Sequence, residues 1–246
     1  MRLFLSNEEY DSYVYRILPF NRFIESIKKQ EFIFVSVNKW QDPLENFIFK
    51  QDYRMKNGEI FSFDSIRNHI YAQCWTLNEE SDFSWKVYSH DFSGIKLKSQ
   101  IKNLYERLGS LVTEANNRLR VGKVMYWPLE KIKEIYEKDF TKYEFQAREL
   151  TFTWSLFIKR EIYKHENEVR FIYVSEDNDD FSDFYKFKID YNEIIESVSI
   201  DPRTSTEEFE RKASIIKNLG FKGDIIKSDI YDNSELNIGL DSIFIN

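Results

Sequence analysis

Lys159-Arg160-Glu161-Ile162-Tyr163-Lys164-His165-Glu166-Asn167-Glu168-Val169-Arg170-Phe171-Ile172-Tyr173 is the stretch whose reading decides the fold. Seven formally charged residues and a histidine lead into Val169 to Val174, an apolar and aromatic run that reads as a strand. Side chains alternate along a strand, so Phe171 and Tyr173 share one face while Glu168, Arg170 and Ile172 share the other. One face of a strand must enter the core, so this much charge at its entrance is unusual. A glutamate and an arginine side by side on one sheet face are either a structural ion pair or a site.

Strand-like runs also cover Tyr13 to Leu18, Glu31 to Val37, Ile70 to Thr76, Gly94 to Leu97, Gly122 to Trp127, Phe184 to Ile189, Ile194 to Ile200 and Ile225 to Ile230. Helical spacing marks Phe20 to Lys29, Ser99 to Leu119, Leu129 to Lys138, Tyr143 to Ile158 and Thr206 to Leu219, the last stopped by Gly220. Ser6 with Glu9 three residues on reads as a capped short helix. Asp82 to Ser89 fits a short helix or a strand, Trp40 to Asn46 a polar turn with an aromatic anchor, and Ser175 to Asp183 an acidic loop. The sum is a single α+β domain over residues 1–246, a mixed, mostly antiparallel sheet with inserted helices.

Composition narrows the function classes. Aromatic residues make up 17% of the 246, while Gly and Pro are few, and no glycine-rich phosphate loop is present. A formal net charge of −7 argues against non-specific binding to nucleic acid, which needs a basic face. A lone cysteine, Cys74, excludes an internal disulfide. With too short an apolar run at Met1 to Ser6 for a signal peptide, the expectation is a cytoplasmic protein. No run reaches the roughly 18 apolar residues of a membrane span.

Several motifs carry chemistry. Arg16, after Tyr15 on the first long strand, needs an anion, either an internal carboxylate such as Glu45 or Glu168 or a ligand phosphate. Trp40-Gln41-Asp42-Pro43-Leu44-Glu45 sets two acids beside an indole; Asp42 can cap its own turn, or these acids can join Glu166 and Glu168 around a divalent ion. Trp85-Lys86-Val87-Tyr88-Ser89-His90 offers rings and hydroxyls to a planar ligand, though most such rings are core. Cys74 beside Trp75 reads as a small core residue. Three scattered histidines and no paired cysteines leave no zinc spacing.

In this order the motifs resemble a prokaryotic family, the domain of unknown function catalogued as DUF 2971. The matching segments are Tyr15-Arg16; Phe34-Val35-Ser36 with Trp40-x-Asp42-Pro43-x-Glu45; Cys74-Trp75; Trp85-x-x-Tyr88-Ser89 with Gly94-Ile95; Gly122-Lys123-Val124-x-Tyr126; Lys159-Arg160 with His165-Glu166-x-Glu168-x-Arg170; and Ile200-x-Pro202. They span Tyr15 to Tyr231. Gln41 stands where the family usually has Asn, and Lys86-Val87 departs from its usual His-Tyr after the Trp.

The layout is also similar to that of ADP-ribosyltransferases: an arginine on an early strand, an aromatic and serine element in the middle, a glutamate on a late strand. That resemblance implies an NAD-using enzyme, with NAD as substrate and no metal. Arg16 would hold the phosphates, with Tyr15, Trp85 and Arg170 beside the cofactor. Tyr88 and Ser89 would frame the nicotinamide ribose, and Glu168 would stabilise the cationic sugar. Asp42, Glu45, Lys159, Arg160 and Glu166 are further candidates. It also implies a toxin or anti-phage effector acting on a protein, a nucleic acid or a phage component, with no membrane partner and the oligomeric state left open. Two other classes compete: a non-catalytic sensor whose Arg16, Arg160 and Arg170 bind an anionic ligand or a phage protein, and a metal-dependent nuclease using Asp42, Glu166, Glu168 and Lys159.

Overall fold

A computed structural model describes residues 2–54, 57–114, 118–134, 149–176 and 181–231. Its strands, in chain order, are β1 (Arg2–Leu3), β2 (Tyr13–Pro19), β3 (Glu31–Ser36), β4 (Asp52–Arg54), β5 (Ile60–Ser62), β6 (Ile70–Thr76), β7 (Gly94–Gln100), β8 (Leu119–Lys123), β9 (Met125–Trp127), β10 (Ile158–Arg160), β11 (Glu168–Val174), β12 (Phe184–Lys188), β13 (Ser197–Ile200) and β14 (Asp224–Lys227). The α-helices used below are α1 (Asn7–Tyr10), α2 (Phe20–Lys29), α3 (Asp64–Asn68), α4 (Asp82–Tyr88), α5 (Ile101–Gly109) and α6 (Thr206–Asn218).

The chain is α+β. Among the described residues, ten strands form one mostly antiparallel sheet in the order β1-β8-β11-β6-β2-β7-β13-β14, with β3 on β6 and β12 on β3. Parallel pairing in it is confined to β1 with β8 and β13 with β14. β9 and β10 form a separate parallel ribbon, β4 and β5 an antiparallel one.

The alternation expected of β11 holds. Val169, Phe171 and Tyr173 enter the larger core, with Phe32, Phe34 and Trp75. Ile172 enters a smaller core on the other face, with Ile70, Ala72 and Phe157. Phe171 and Ile172 are thus both fully buried, on opposite faces, and each burial is worth about 1.5–3 kcal/mol. Helix α2 covers the larger core with Phe20 and Phe23 and ends at Gln30 in the left-handed region (φ 51°). The Ser6–Glu9 capping box forms on both sides.

One irregularity shapes the molecule. β6 meets β3 at Tyr71 and Ala72, and β2 at Thr76 only. On that edge residues 73–75 have no strand partner among the described residues. β2 continues away along β7 from Tyr13 to Pro19.

Some elements are shorter than their patterns predict. Helix α5 stops at Gly109, because the apolar repeat is not sustained: Leu111 is exposed and Leu119 belongs to β8. Gly122 to Trp127 is split at Val124, whose amide turns to the Glu168 carbonyl. The strand expected from Ile194 begins at Ser197, after a 3-10 turn over Tyr191–Glu193. Residues 129–134 are helical, and the rest of the helix expected to Lys138 lies outside the described residues. Of Tyr143 to Ile158, the described part is a 3-10 helix, Glu149–Phe157, and Ile158 opens β10.

Candidate functional site

Where β2 and β6 part, a cleft of about 370 Å³ opens. Tyr15, Arg16 and Ile17 border it from β2, and Cys74, Trp75 and Thr76 from β6. Glu168 and Arg170 of β11 contribute one wall, Lys159 and Glu166 another, with Trp40 and Glu45 from the turn after β3. Phe83, Ser84 and Tyr88 of α4 form the rim with His165. Such a volume lies in the range of small-molecule sites.

The charges are organised. Arg170 is buried and donates to both oxygens of Glu168, Nε at 2.9 Å and Nη2 at 2.8 Å. Its remaining donors reach Glu45 and the Leu156 carbonyl, and its guanidinium lies 4.3 Å from the Trp40 ring. Lys159 Nζ stands 2.6 Å from Glu166, 3.2 Å from Glu45 and 3.7 Å from Glu168. Three carboxylates therefore converge on an ammonium group, where the metal-nuclease pattern wants an ion. Among the described residues no group of His, Cys, Asp or Glu is disposed to hold a metal.

Glu166 and Glu168 are brought to one cleft by Asn167, whose φ of 44° is left-handed, a conformation asparagine tolerates better than most residues. The turn is pinned to the end of β6: Thr76 Oγ1 donates to the Glu166 carbonyl at 2.6 Å and the Leu77 amide to the Asn167 carbonyl at 3.0 Å. The two acids differ in environment. Burial works to raise the Glu168 carboxyl, but the charge and hydrogen bonds of Arg170 outweigh it and hold the group below its ordinary value. Burial raises Glu166, and Lys159 offsets this only in part. Burial, followed by the Glu168 charge, holds the Cys74 thiol well up, so it stays protonated and unreactive.

Arg16 does not pair with Glu45 or Glu168, since Arg170 takes both. Among the described residues no carboxylate meets its guanidinium, which protein surrounds on the side away from the cleft; burial lowers its pKa. A half-buried cation that no described carboxylate meets is costly, and the geometry leaves an anion a place beside it in the cleft.

Not every expected residue reaches the cleft. Trp85 is fully buried and its indole donates to Glu80 at 2.6 Å. Ser89 is buried as well: it donates to Asp201 at 2.5 Å and accepts the Gly94 amide at 2.8 Å. Arg203 completes this knot, bonding Asp201 and the Trp85 and Ser89 carbonyls. Trp85 and Ser89 thus fasten α4, which presents Phe83, Ser84 and the half-exposed Tyr88 to the cleft. Asp42 and Arg160 pair with each other outside the cleft, at 3.1 and 3.3 Å. Residues not anticipated at the site are Ile17, Cys74, Trp75, Thr76, Phe83 and Ser84; Cys74, expected as a core residue, is half-buried and borders the cleft because the edge of β6 has no described strand partner there. Ser84 and Tyr88 stand four apart on a helix and share its face, which was the signal available for Ser84.

No family model matches the chain, the DUF 2971 resemblance included, and no curated protein matches it. Solved structures of DarT from Thermus sp. 2.9 are similar over most of both chains. With carba-NAD+ bound, the identity is 10%, covering 89% of this chain and 96% of that one, at a TM-score of 0.39. With ADP-ribosylated ssDNA, the values are 9%, 93%, 98% and 0.40. With NAD+, they are 12%, 89%, 96% and 0.39. A likeness this loose carries no inference about activity.

Proposed function

We propose that this protein is an ADP-ribosyltransferase-like enzyme that uses NAD+ as substrate. The observation that carries the reading is the pairing, in one cleft, of an arginine that no carboxylate among the described residues meets and a glutamate held ionised. Arg16 would take the diphosphate in a charge-assisted contact. Glu168, aligned by Arg170, would face the nicotinamide ribose. The bond between C1′ and the nicotinamide nitrogen breaks, and its electron pair leaves with nicotinamide. Positive charge then develops on the sugar, where a fixed carboxylate stabilises it. Glu166, whose pKa is pushed away from that of Glu168, is placed to accept the proton of the attacking group; two acids with divided environments support divided roles. Tyr88 and Tyr15 supply ring surface.

The acceptor in this reading is a protein or nucleic acid, and the biological setting a toxin or anti-phage effector, since consumption of NAD+ harms the cell that suffers it. The ordered motifs from Tyr15 to Tyr231 support kinship with DUF 2971. The larger core, which runs beneath strands on both sides of the cleft, supports one domain. No helix among the described residues is long and apolar enough to cross a membrane. Incubation with labelled NAD+ and cell lysate tests the reading: label on a macromolecule or free nicotinamide is expected, and neither from folded protein would overturn it.

A second reading is favoured by one observation. The bidentate lock on Glu168 is also how a purely structural ion pair looks, and the cleft would then be a receptor for an anionic ligand held by Arg16. Binding of NAD+ without any turnover would select it.

A further inference from the structure

The turn after β3 belongs to no strand of the main sheet, yet three of its side chains reach cations of β10 and β11. Trp40 lies against Arg170. Asp42 takes Arg160 and also accepts the Leu44 amide at 3.1 Å, so one carboxylate shapes the turn and moors it to β10. Glu45, 7% exposed, accepts from Arg170 and stands beside Lys159. Arg170 and Lys159 are the same two cations that hold Glu168 and Glu166. This accounts for the spacing Trp40-x-Asp42-Pro43-x-Glu45 without a metal.

We propose that Glu45 is a positioning residue for the Glu166–Glu168 pair: it holds Arg170 and Lys159 against the two acids, and the Trp40–Asn46 turn is the element that delivers it. The catalytic half of this statement rests on the function proposed above. Without Glu45, two buried cations bear on two carboxylates instead of three. Arg170 then loses one of the contacts that fix the orientation of its guanidinium, and Lys159 falls more fully on Glu166. The groups facing the pair are Lys159 from β10, Arg170 from β11, Cys74 from β6, Tyr88 from α4, Tyr126 from β9 and the adjacent His165.

The experiment compares wild type, Glu45→Gln and Glu45→Asp by nicotinamide release from NAD+ and by carboxyl 13C titration of Glu166. In Glu45→Gln, kcat is expected to fall about a hundredfold, the scale of a small misplacement of a reacting group. KM should stay within about twofold. The Glu166 midpoint should move to lower pH, because less negative charge surrounds it. Glu45→Asp should lie between the two proteins in both readouts, and it carries the test alone if the Gln variant does not fold. An unmoved Glu166 midpoint in folded variants would overturn the proposal. So would equal losses in the Asp and Gln variants that track only a lower Tm. A wild type inert toward NAD+ whose midpoint still moves on substitution would sink the transferase reading and leave the role of Glu45 standing.

Discussion

Arg16→Met separates ligand binding from stability in a single substitution. The change keeps the length of the side chain and removes a half-buried charge that no described carboxylate meets. Replacing buried ionic groups by apolar ones of similar volume is neutral or stabilising by up to about 4 kcal/mol. Arg16 still borders the cleft, so a gain of about 1–2 kcal/mol is expected. For a chain of this length that is a rise in Tm of about 2–8 °C. Binding should move the other way. Charged hydrogen bonds are worth about 1.5–3 kcal/mol, and 1.4 kcal/mol is tenfold in affinity, so NAD+ should bind roughly ten- to a hundredfold more weakly. ADP-ribose, which keeps the diphosphate, should lose as much. Calorimetric melting without ligand and titration calorimetry with NAD+ read the two effects on one preparation. A Tm lowered by several degrees would mean that Arg16 has a structural partner, and an unchanged NAD+ affinity would remove it from the site.

Glu168→Gln should abolish nicotinamide release and cost about 3 kcal/mol, because Arg170 loses its bidentate anion and keeps Glu45 and the Leu156 carbonyl. The folded pKa of Glu168 is depressed, so its contribution to stability is present above its unfolded pKa and lost as pH falls through the folded one; melting scans below about pH 4.5 should show a shallower acid loss in Glu168→Gln than in wild type. Ser89→Ala should lower stability by about 1–2 kcal/mol through the Asp201 knot while kcat is kept, and a selective loss of kcat would return Ser89 to the chemistry. EDTA should change neither melting nor turnover, since Lys159 occupies the point where the carboxylates meet; loss restored by a divalent cation would revive the nuclease reading.

The sheet was legible because its strands obey simple alternation. Val169 to Val174 assigned its own faces, and the edges of α2 and β6 fell where helical apolar spacing and a Gly-free, largely apolar run put them. The long helix through Leu119 failed because Leu111 continues the apolar repeat in sequence but lies exposed, outside both cores. Arg16 and Glu168, singled out because a charge sat in a strand, and Tyr88, singled out for its ring beside Ser89, all border one cleft. Trp85 and Ser89, singled out with Tyr88, do not. A buried hydroxyl and a buried indole need partners, and those partners, Asp201 and Glu80, are remote or unremarkable in sequence. Which carboxylate each arginine takes is a three-dimensional fact that no spacing encodes.

The single bridge between β2 and β6 divides the sheet mechanically. On one side lie β1, β8, β11, β6, β3 and β12, on the other β2, β7, β13 and β14, and each set is laddered internally. Among the described residues, strand pairing across the seam is limited to Tyr15 and Thr76, so cohesion between the halves falls largely to side chains of the shared core. Amide hydrogen exchange should then sort into two protection classes that follow this division, with residues 15–17 and 73–76 the fastest to exchange in the interior. A ligand seated in the seam would touch both sets of strands, Tyr15 to Ile17 on one side and Cys74 to Thr76 on the other. Its binding would fuse two cooperative units into one, so that occupancy is written into the exchange of amides as distant as those of β14.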